Sequence, residues 1–147
     1  MKRKVIKKMF TVFCLLTITA LTFSQTNLMQ TIKVEAHHVI VNGGTVHISV
    51  SLSEEAYKKR KPDMTLQCEP VDNVVRTEIT VPTWDCVINV YQDRNGNGKC
   101  DNNLLGIPKE PVGITNWDGK GVPGSFGKLK VGITPTTQTI RINLYQL

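Results

Sequence analysis

Residues able to offer oxygen atoms to a cation recur at alternate positions in one short stretch of the chain: Asp93, Asn95, Asn97, Lys99 and Asp101. Calcium takes six to eight oxygen ligands, and a calcium loop supplies them from alternate positions around a glycine that allows a sharp turn. The first three residues hold positions one, three and five of such a loop, and Gly98 supplies the turn at position six. The Lys99 carbonyl and the Asp101 carboxylate follow at positions seven and nine. This spacing predicts a weak calcium site, near the roughly 10⁻⁴–10⁻³ M affinity of extracellular modules.

The same stretch also has the composition of a tight turn. Position twelve of the loop is Leu104, where a calcium loop of this kind places a bidentate Glu. Asn-Gly-Asn-Gly suits a sharp reversal in which Asp93 and Asp101 accept hydrogen bonds from loop amides. Asn103 or Glu110 would complete a calcium site if the loop curls back. Calcium binding and turn chemistry are therefore two open interpretations.

Three histidines offer a second metal hypothesis. His37 and His38 end the first predicted strand, and His47 lies in the second. A two-residue turn at Asn42-Gly43 would place His38 opposite His47, close enough for both to bind a transition metal. A three-residue turn would separate them, and no third ligand is evident, so exposed strand histidines are favoured. No nucleophile, base and orienting group occur together in the sequence, so an enzyme is not expected.

The two tryptophans are candidate platforms for stacking on sugar rings. Trp84 opens an alternating, core-facing series that continues with Cys86, Ile88 and Val90. Core packing is therefore favoured for Trp84. Trp117 lies in a loop, where stacking and core packing are equally good interpretations.

Alternation of apolar and polar residues predicts strands around residues 32–36, 46–52, 75–81, 86–91, 126–131 and 139–145. One short helix is expected from Glu54 to Lys61, ended near Pro62. Asn42-Gly43-Gly44 suits a hairpin turn between the first two strands. Residues 93–127 are rich in Gly, Pro and Asn and predict one long loop. Nearly every strand has one apolar face, so we expect an all-β, antiparallel β-sandwich of immunoglobulin- or transthyretin-like form.

The N-terminus has the pattern of a secretory signal peptide. Five Lys and Arg residues precede the apolar run Met9 to Phe23, and small or polar residues follow at Ser24 and Gln25. The run is shorter than the ~20 residues that a spanning helix needs. We therefore expect a signal at residues 1–24 and a single domain at residues 25–147, with no membrane span after signal removal. The mature protein would be periplasmic, cell-surface or extracellular; an uncleaved membrane anchor is the alternative.

The basic character of the chain belongs mostly to this N-terminus. Removing its five basic residues from the 18 Lys and Arg leaves 13 against 12 Asp and Glu. Nucleic-acid binding depends on many phosphate contacts, so nucleic acid is not expected as a partner.

Four cysteines occur, and Cys14 falls within the expected signal. Export permits a disulfide between two of Cys68, Cys86 and Cys100, and the odd number leaves one thiol over. The spacing of these three matches no zinc motif and does not choose the pair.

The stretch VYQDRNGNGKCDNNLLGIPKEPVGITNW, residues 90–117, resembles the central motif of a bacterial family, domain-of-unknown-function family 2141. GTVHISVSLSEEAYKK resembles the first hairpin of that family, and GVPGSFGKLKV resembles its later G-x-P-S-F segment. The resemblance extends over Thr31 to Leu147 and implies an exported β-sandwich without a known activity. The family often has a hydrophobe in place of Cys100, and none of Cys68, Cys86 and Cys100 belongs to its motif, so the resemblance implies that the cysteines are a private feature of this chain.

These observations predict an exported, non-catalytic β-sandwich module that binds calcium weakly at the Asp93–Asp101 loop. It would act as an envelope accessory or binding protein. The alternative is a small extracytoplasmic carbohydrate-binding domain or enzyme that uses the Asp93–Trp117 loop. The expected partner is a cell-envelope protein or a glycan, and no cofactor other than calcium is expected.

Overall fold

Eight strands and two short helices form the part of the chain that the computed structural model describes, residues 28–147. The strands are β1 (Met29–His37), β2 (Thr45–Ser51), β3 (Met64–Cys68), β4 (Val74–Pro82), β5 (Asp85–Asp93), β6 (Val112–Ile114), β7 (Val131–Gly132) and β8 (Thr139–Asn143). The helices are α1 (Glu54–Lys58) and α2 (Phe126–Leu129). The expected signal peptide, residues 1–24, lies outside the described residues. Within residues 28–147, no helix has the length and apolar character needed to cross a membrane.

The strands form two sheets that face each other across one apolar core. The first sheet has the order β4-β1-β8 and the second the order β3-β2-β5-β6, with β7 also paired to β5. Every pairing of these strands is antiparallel except that of β1 with β8. The core joins residues of both sheets that are at most 1% exposed, among them Ile32, Val34, Ala36, Ile48 and Ile88. The prediction of an all-β sandwich is confirmed, while its immunoglobulin- or transthyretin-like form stays a prediction.

The prediction of a hairpin between the first two strands is wrong, because β1 and β2 lie in different sheets. Residues 38–44 carry the chain from one sheet to the other, with positive φ angles at His38 (62°) and Gly44 (96°). Gln92, fully buried at the end of β5, holds this crossover. Its side chain donates to the Ile40 carbonyl at 2.7 Å and accepts the Ile40 N–H at 2.9 Å. Strands that pair and strands that face each other show the same apolar alternation, so the sequence pattern does not separate the two cases.

The strand expected at residues 126–131 is also wrong. Its first part is the helix α2, so the described chain has two short helices where at most one was expected. The Ser125 carbonyl accepts the N–H groups of Lys128 (3.0 Å) and Leu129 (3.2 Å), which closes a local turn, and Leu129 anchors the turn at 2% exposure. The sequence prediction also missed β3 and β6, although β3 alternates half-buried and exposed residues.

Trp84 does not pack in the core, contrary to expectation. It is 41% exposed in the turn between β4 and β5, because β4 ends at Pro82 and β5 begins at Asp85. The residues predicted to face the core after it do so: Cys86, Ile88 and Val90.

The disulfide that export would permit is absent from residues 28–147, where Cys68, Cys86 and Cys100 are free thiols. Cys68 on β3 and Cys86 on β5 are separated by β2, and two strand spacings amount to roughly 9–10 Å. A disulfide needs its Cα atoms within ~7 Å. Cys100 lies outside this core, in the loop after β5.

Candidate functional site

Asp93, the last residue of β5, organises the loop that follows it. It is 2% exposed, and its carboxylate accepts the backbone N–H groups of Gly96 (2.9 Å), Asn97 (3.2 Å) and Gly98 (2.6 Å). His47 on β2 places Nε2 3.7 Å from the same carboxylate. Burial raises the pKa of Asp93, but the three backbone hydrogen bonds and His47 outweigh it and lower the pKa from its ordinary value. The carboxylate is therefore held in its charged form by the loop that it organises.

The two asparagines and Asp101 complete this hydrogen-bonded loop. Asn95 and Asn97 each donate from Nδ2 to Oδ2 of Asp101, at 2.7 and 2.8 Å. The Oδ1 atom of Asn95 accepts the Asn97 N–H at 3.1 Å, and that of Asn97 accepts the Lys99 N–H at 2.9 Å. These are the local turns that Asn forms with the backbone two residues on.

Glu110 curls back onto the loop, as the sequence had suggested for it or for Asn103. Glu110 is 3% exposed, and its two oxygens accept the backbone N–H of Arg94 (3.1 Å) and of Asp101 (3.2 Å). One carboxylate therefore binds an amide near each end of the loop. Glu110 therefore closes the loop by binding backbone amides, and not by binding a cation together with the loop side chains.

The observed contacts favour the turn interpretation of the loop. Oxygen atoms of Asp93, Asn95 and Asn97 that a cation would need already accept backbone N–H groups. Within residues 28–147, no group of three or more His, Cys, Asp or Glu side chains is arranged to hold a metal ion. A calcium ion would have to take much of its oxygen shell from amides, carbonyls and water. Calcium binding by the five residues Asp93, Asn95, Asn97, Lys99 and Asp101 stays a prediction.

Residues 101–109 form a small hairpin beside this loop. Near its base, the Asp101 carbonyl accepts the Lys109 N–H at 2.8 Å. At its tip, Asn103 Oδ1 accepts the Leu105 N–H at 2.9 Å, so this oxygen is used by the turn. The long loop predicted from composition is therefore braced by its own hydrogen bonds.

A groove of about 580 Å³ runs along the outer face of the second sheet. Its floor is formed by residues of β2 and β5 that point away from the core: Ser49, Ser51, Asn89 and Tyr91. Its sides carry residues of α1 and the turn after it, of the small hairpin and of the segment after β6: Tyr57, Arg60, Asn102 and Trp117. The volume falls in the roughly 300–1,000 Å³ range of small-ligand sites.

The aromatic rings that line the groove are fixed by hydrogen bonds from their polar atoms. The three bonds run from Tyr57 Oη to the Gly124 carbonyl (3.2 Å), from Tyr91 Oη to the Gly98 carbonyl (3.1 Å) and from Trp117 Nε1 to the Lys120 carbonyl (3.2 Å). Tyr91 also stacks on His47 with ring centroids 4.6 Å apart, and Trp117 meets Tyr145 edge-on at 5.7 Å. The rings are held in place before any ligand arrives.

The polar side chains of the groove are uncommitted by comparison. In the part of the chain that the structure describes, Ser49, Ser51, Asn89 and Asn102 form no side-chain hydrogen bond. Ser49 and Asn89 are half-buried and Asn102 is exposed, so their hydroxyl and amide groups are open to the groove, whereas Ser51 is 3% exposed. Hydroxyls and amides both donate and accept hydrogen bonds. The groove can therefore bind a polar, ring-shaped molecule by stacking and hydrogen bonding together.

The hypothesis that His38 lies opposite His47 and that the two bind a transition metal is wrong. His47 lies between Gln67 on β3 and Tyr91 on β5, whereas His38 belongs to the crossover that follows β1 in the other sheet. His47 stacks on Tyr91 and faces Asp93 instead.

Sequence reasoning missed this groove because its residues come from separated segments. The polar alternation in β2 and β5 predicts that Ser49 and Asn89 face outward, but not that other segments rise on both sides of them. Trp117 is half-buried at the side of the groove, and its role in stacking stays a prediction. A useful signal was Tyr91, an aromatic residue on the polar face of its strand.

The comparisons with known proteins agree with the resemblance found in the sequence. The profile of a family described as "uncharacterized protein conserved in bacteria (DUF2141)" matches residues 34–141. No curated protein and no solved structure was found to match the chain. The matched range runs from β1 into β8 and includes α1, the Asp93–Asp101 loop and the small hairpin. The chain therefore belongs to this family of uncharacterized bacterial proteins, DUF2141.

Proposed function

We propose that the protein is an exported, non-catalytic binding module that takes a saccharide in the groove of the second sheet. One observation carries this proposal: the groove combines fixed aromatic rings with uncommitted hydroxyl and amide groups. The site of the carbohydrate-binding alternative then moves from the Asp93–Trp117 loop to the groove that this segment borders. An exported module of this kind would meet glycans at the cell envelope.

The chemistry of a sugar matches the two kinds of surface in the groove. A pyranose ring has an apolar face of C–H groups, which packs on an aromatic ring, and a rim of hydroxyls, which exchange hydrogen bonds with side chains. Tyr91 and Trp117 offer the rings, and Ser49 and Asn89 offer hydrogen-bonding groups. Because the rings are already fixed, binding costs little side-chain entropy.

A binding role, rather than glycoside hydrolysis, is supported by the acidic groups near the groove. Glycosidases use two carboxyl groups roughly 5–9.5 Å apart across the scissile bond. The described lining of the groove includes no Asp or Glu. The nearby carboxylates of Asp93 and Glu110 are buried and accept backbone N–H groups.

The proposal is tested by titration calorimetry of the purified protein against neutral and acidic tetrasaccharides. The variants Trp117→Ala and Asn89→Ala are expected to weaken binding about five- to thirtyfold, since each removes a stacking or hydrogen-bonding group worth ~1–2 kcal/mol. Trp84→Ala is the matched control, because Trp84 is an exposed ring outside the groove. If no saccharide binds, or if the groove variants bind as the unmodified protein does, the proposal is wrong.

Weak calcium binding at the Asp93–Asp101 loop is a second candidate function. Its support is the position of Glu110, which lines a cleft of about 300 Å³ together with Asn95 and Asp101. These side chains could add carboxylate and amide oxygens to an ion that enters the cleft. The basic residues Arg94 and Lys109 line the same cleft and oppose a cation, so the affinity would be low.

Calcium binding is tested by thermal melting with calcium titrated against a chelator. A ligand that binds the folded state raises the midpoint in a concentration-dependent way. A rise at millimolar calcium that disappears in the double variant Asp93→Ala/Asp101→Ala would support the site. A melting midpoint that does not change up to several millimolar calcium would show that the loop is a turn held by its own hydrogen bonds and not a calcium site.

A further inference from the structure

Arg60 lines the groove from an unusual backbone conformation. It follows α1 by two residues, and its φ angle of 52° lies in the left-handed region. Its N–H donates to the Tyr57 carbonyl at 3.1 Å, and the Lys61 N–H donates to the Ala56 carbonyl at 3.0 Å, which closes the helix end. A residue with a side chain in this region costs about 1–3 kcal/mol, and glycine would avoid that cost. An arginine occupies this position instead of the less strained glycine, so we ask what its side chain does there.

The lysines that precede Arg60 are neutralised within the helix, whereas Arg60 is not. Lys58 pairs with Glu54 at 2.7 Å and Lys59 pairs with Glu55 at 2.6 Å. Among residues 28–147, no carboxylate lies within 4.0 Å of the Arg60 side chain. The positive charge at this side of the groove is therefore available to a ligand.

Two other arginines among the described residues, Arg76 and Arg141, show what such a partner looks like. On the first sheet, Arg141 Nε lies 3.1 Å from the Glu35 carboxylate, and Arg76 Nε lies 4.0 Å from it. Among residues 28–147, the charged side chains that line the groove are Lys58 and Arg60, and no Asp or Glu side chain lines it. An unpaired positive charge in a groove raises the local concentration of negatively charged ligands.

Two side chains that line the groove, Tyr57 and Cys100, lie close enough to Arg60 for its charge to affect their pKa values. Burial raises the pKa of Tyr57, and the positive charge of Arg60 opposes that change. Burial, followed by the charges of Glu110 and Asp101, raises the pKa of Cys100 to about 11, and Arg60 again opposes the change. Both side chains line the groove, so a ligand lying against them would also meet the guanidinium.

We infer that the saccharide taken by the groove is anionic, and that its acidic group pairs with the Arg60 guanidinium while its ring stacks on the groove aromatics. This inference rests on the proposed function. A planar guanidinium binds carboxylate and sulfate oxygens through two parallel hydrogen bonds, which lysine does not reproduce. Sugar acids and sulfated sugars share this chemistry, and the experiment separates them.

The test compares three probes by titration calorimetry of the purified protein: tetragalacturonate, its neutral methyl ester and a sulfated tetrasaccharide. A charge-assisted hydrogen bond is worth roughly a tenfold to hundredfold change in affinity. One of the acidic probes is therefore expected to bind about ten- to hundredfold more tightly than the methyl ester, by a factor that shrinks as salt is added. Whichever acidic probe is preferred identifies the acid.

Arg60→Gln is expected to abolish that preference, so that the acidic probe binds no more tightly than the neutral ester. Arg60→Lys keeps the positive charge but loses the planar guanidinium that makes two parallel hydrogen bonds. It is expected to retain part of the preference for the acidic probe. Arg94→Gln is the matched control, because Arg94 is an exposed arginine that lines the other cleft. Arg60 and Arg94 are both exposed, and unchanged melting midpoints of all the variants check the fold.

The possible failures are distinguishable. Equal binding of neutral and acidic probes, with both lost in Asn89→Ala, would overturn this inference and support the proposed function. An acidic preference that survives in Arg60→Gln would overturn the assignment of Arg60. No binding by any of the three probes or by the neutral tetrasaccharides would overturn the proposed function as well.

Discussion

Glu110 and Asp101 lie nine residues apart in the chain, and the carboxylate of Glu110 accepts the backbone N–H of Asp101 at 3.2 Å. The second oxygen of the same carboxylate accepts the Arg94 N–H, so one buried side chain binds both ends of the loop. A buried carboxylate is costly unless it is hydrogen-bonded, and here the loop backbone provides the bonds. The loop beside the groove is therefore held in place by a residue outside it.

Replacing Glu110 by Ala should destabilise the protein by about 2–4 kcal/mol, because two backbone N–H groups would lose their acceptor. Glu110→Gln should cost less, since one oxygen still accepts a bond. Urea denaturation measures the free energy of unfolding of each variant. Glu78→Ala is the control, because Glu78 is an exposed residue on β4. A Glu110→Ala loss no larger than that of Glu78→Ala would show that the closure adds nothing to stability.

Asp93 predicts a pH dependence of stability. Its pKa in the folded protein lies below the ordinary value, since loop amides and His47 outweigh the effect of burial. A group with a lowered folded pKa stabilises the protein above its unfolded pKa of about 3.9, and this contribution is lost as the pH falls through the folded pKa. Asp93→Asn should therefore melt at a lower temperature than the unmodified protein at pH 7, and the difference should shrink below about pH 4. Parallel melting curves across pH 3–7, with a constant gap, would contradict this account.

The sequence predicted which residues face the core, because burial follows the two-residue period of a strand. Ile32 and Val34 in β1 and Ile48 and Val50 in β2 are buried as their alternation requires. It did not predict that these strands belong to different sheets. That outcome depends on contacts such as the Gln92–Ile40 pair, whose members lie 52 residues apart.

The same distinction applies to the candidate site. The turn at Asp93 was predictable because its hydrogen bonds reach Gly98 at most, so local composition specifies them. The groove was not predictable, because Tyr57 and Tyr91 come together through the fold rather than through their spacing. A periodic pattern shows which side of a strand is polar, but not what is packed around that side.

Gly44 is expected to be the least replaceable glycine of the crossover. A Cβ atom there would lie 1.9 Å from the Asp93 carbonyl oxygen, and the φ angle is 96°. Gly44→Ala should cost at least about 3 kcal/mol, since a clash with backbone adds to an unfavourable φ. Gly127→Ala in α2 is the control, because nothing lies within 4 Å of its Cβ position and helices favour Ala over Gly. Equal unfolding free energies for the two variants would contradict the claim that position 44 requires glycine.

Thiol labelling tests both the absence of a disulfide and the position of Cys100. Burial, together with the charges of Glu110 and Asp101, raises the pKa of the Cys100 thiol to about 11, and burial followed by the charge of Asp85 does the same for Cys86. The thiolate is the reactive form, so iodoacetamide at pH 7 should alkylate Cys100 at least about a hundredfold more slowly than an unstructured peptide thiol.

Cys86 is 0% exposed, so iodoacetamide should label it only after the protein has been unfolded. Peptide mass spectrometry of the protein denatured without reductant should then find Cys68, Cys86 and Cys100 all alkylated. A pair that stays unlabelled until reductant is added would reveal a disulfide and contradict the structure. A saccharide bound in the groove should slow the labelling of Cys100 and leave Cys68 unaffected, because Cys100 lines the groove and Cys68 lies on β3 against the core. Protection of Cys68 together with Cys100 would instead indicate that the ligand tightens the whole fold.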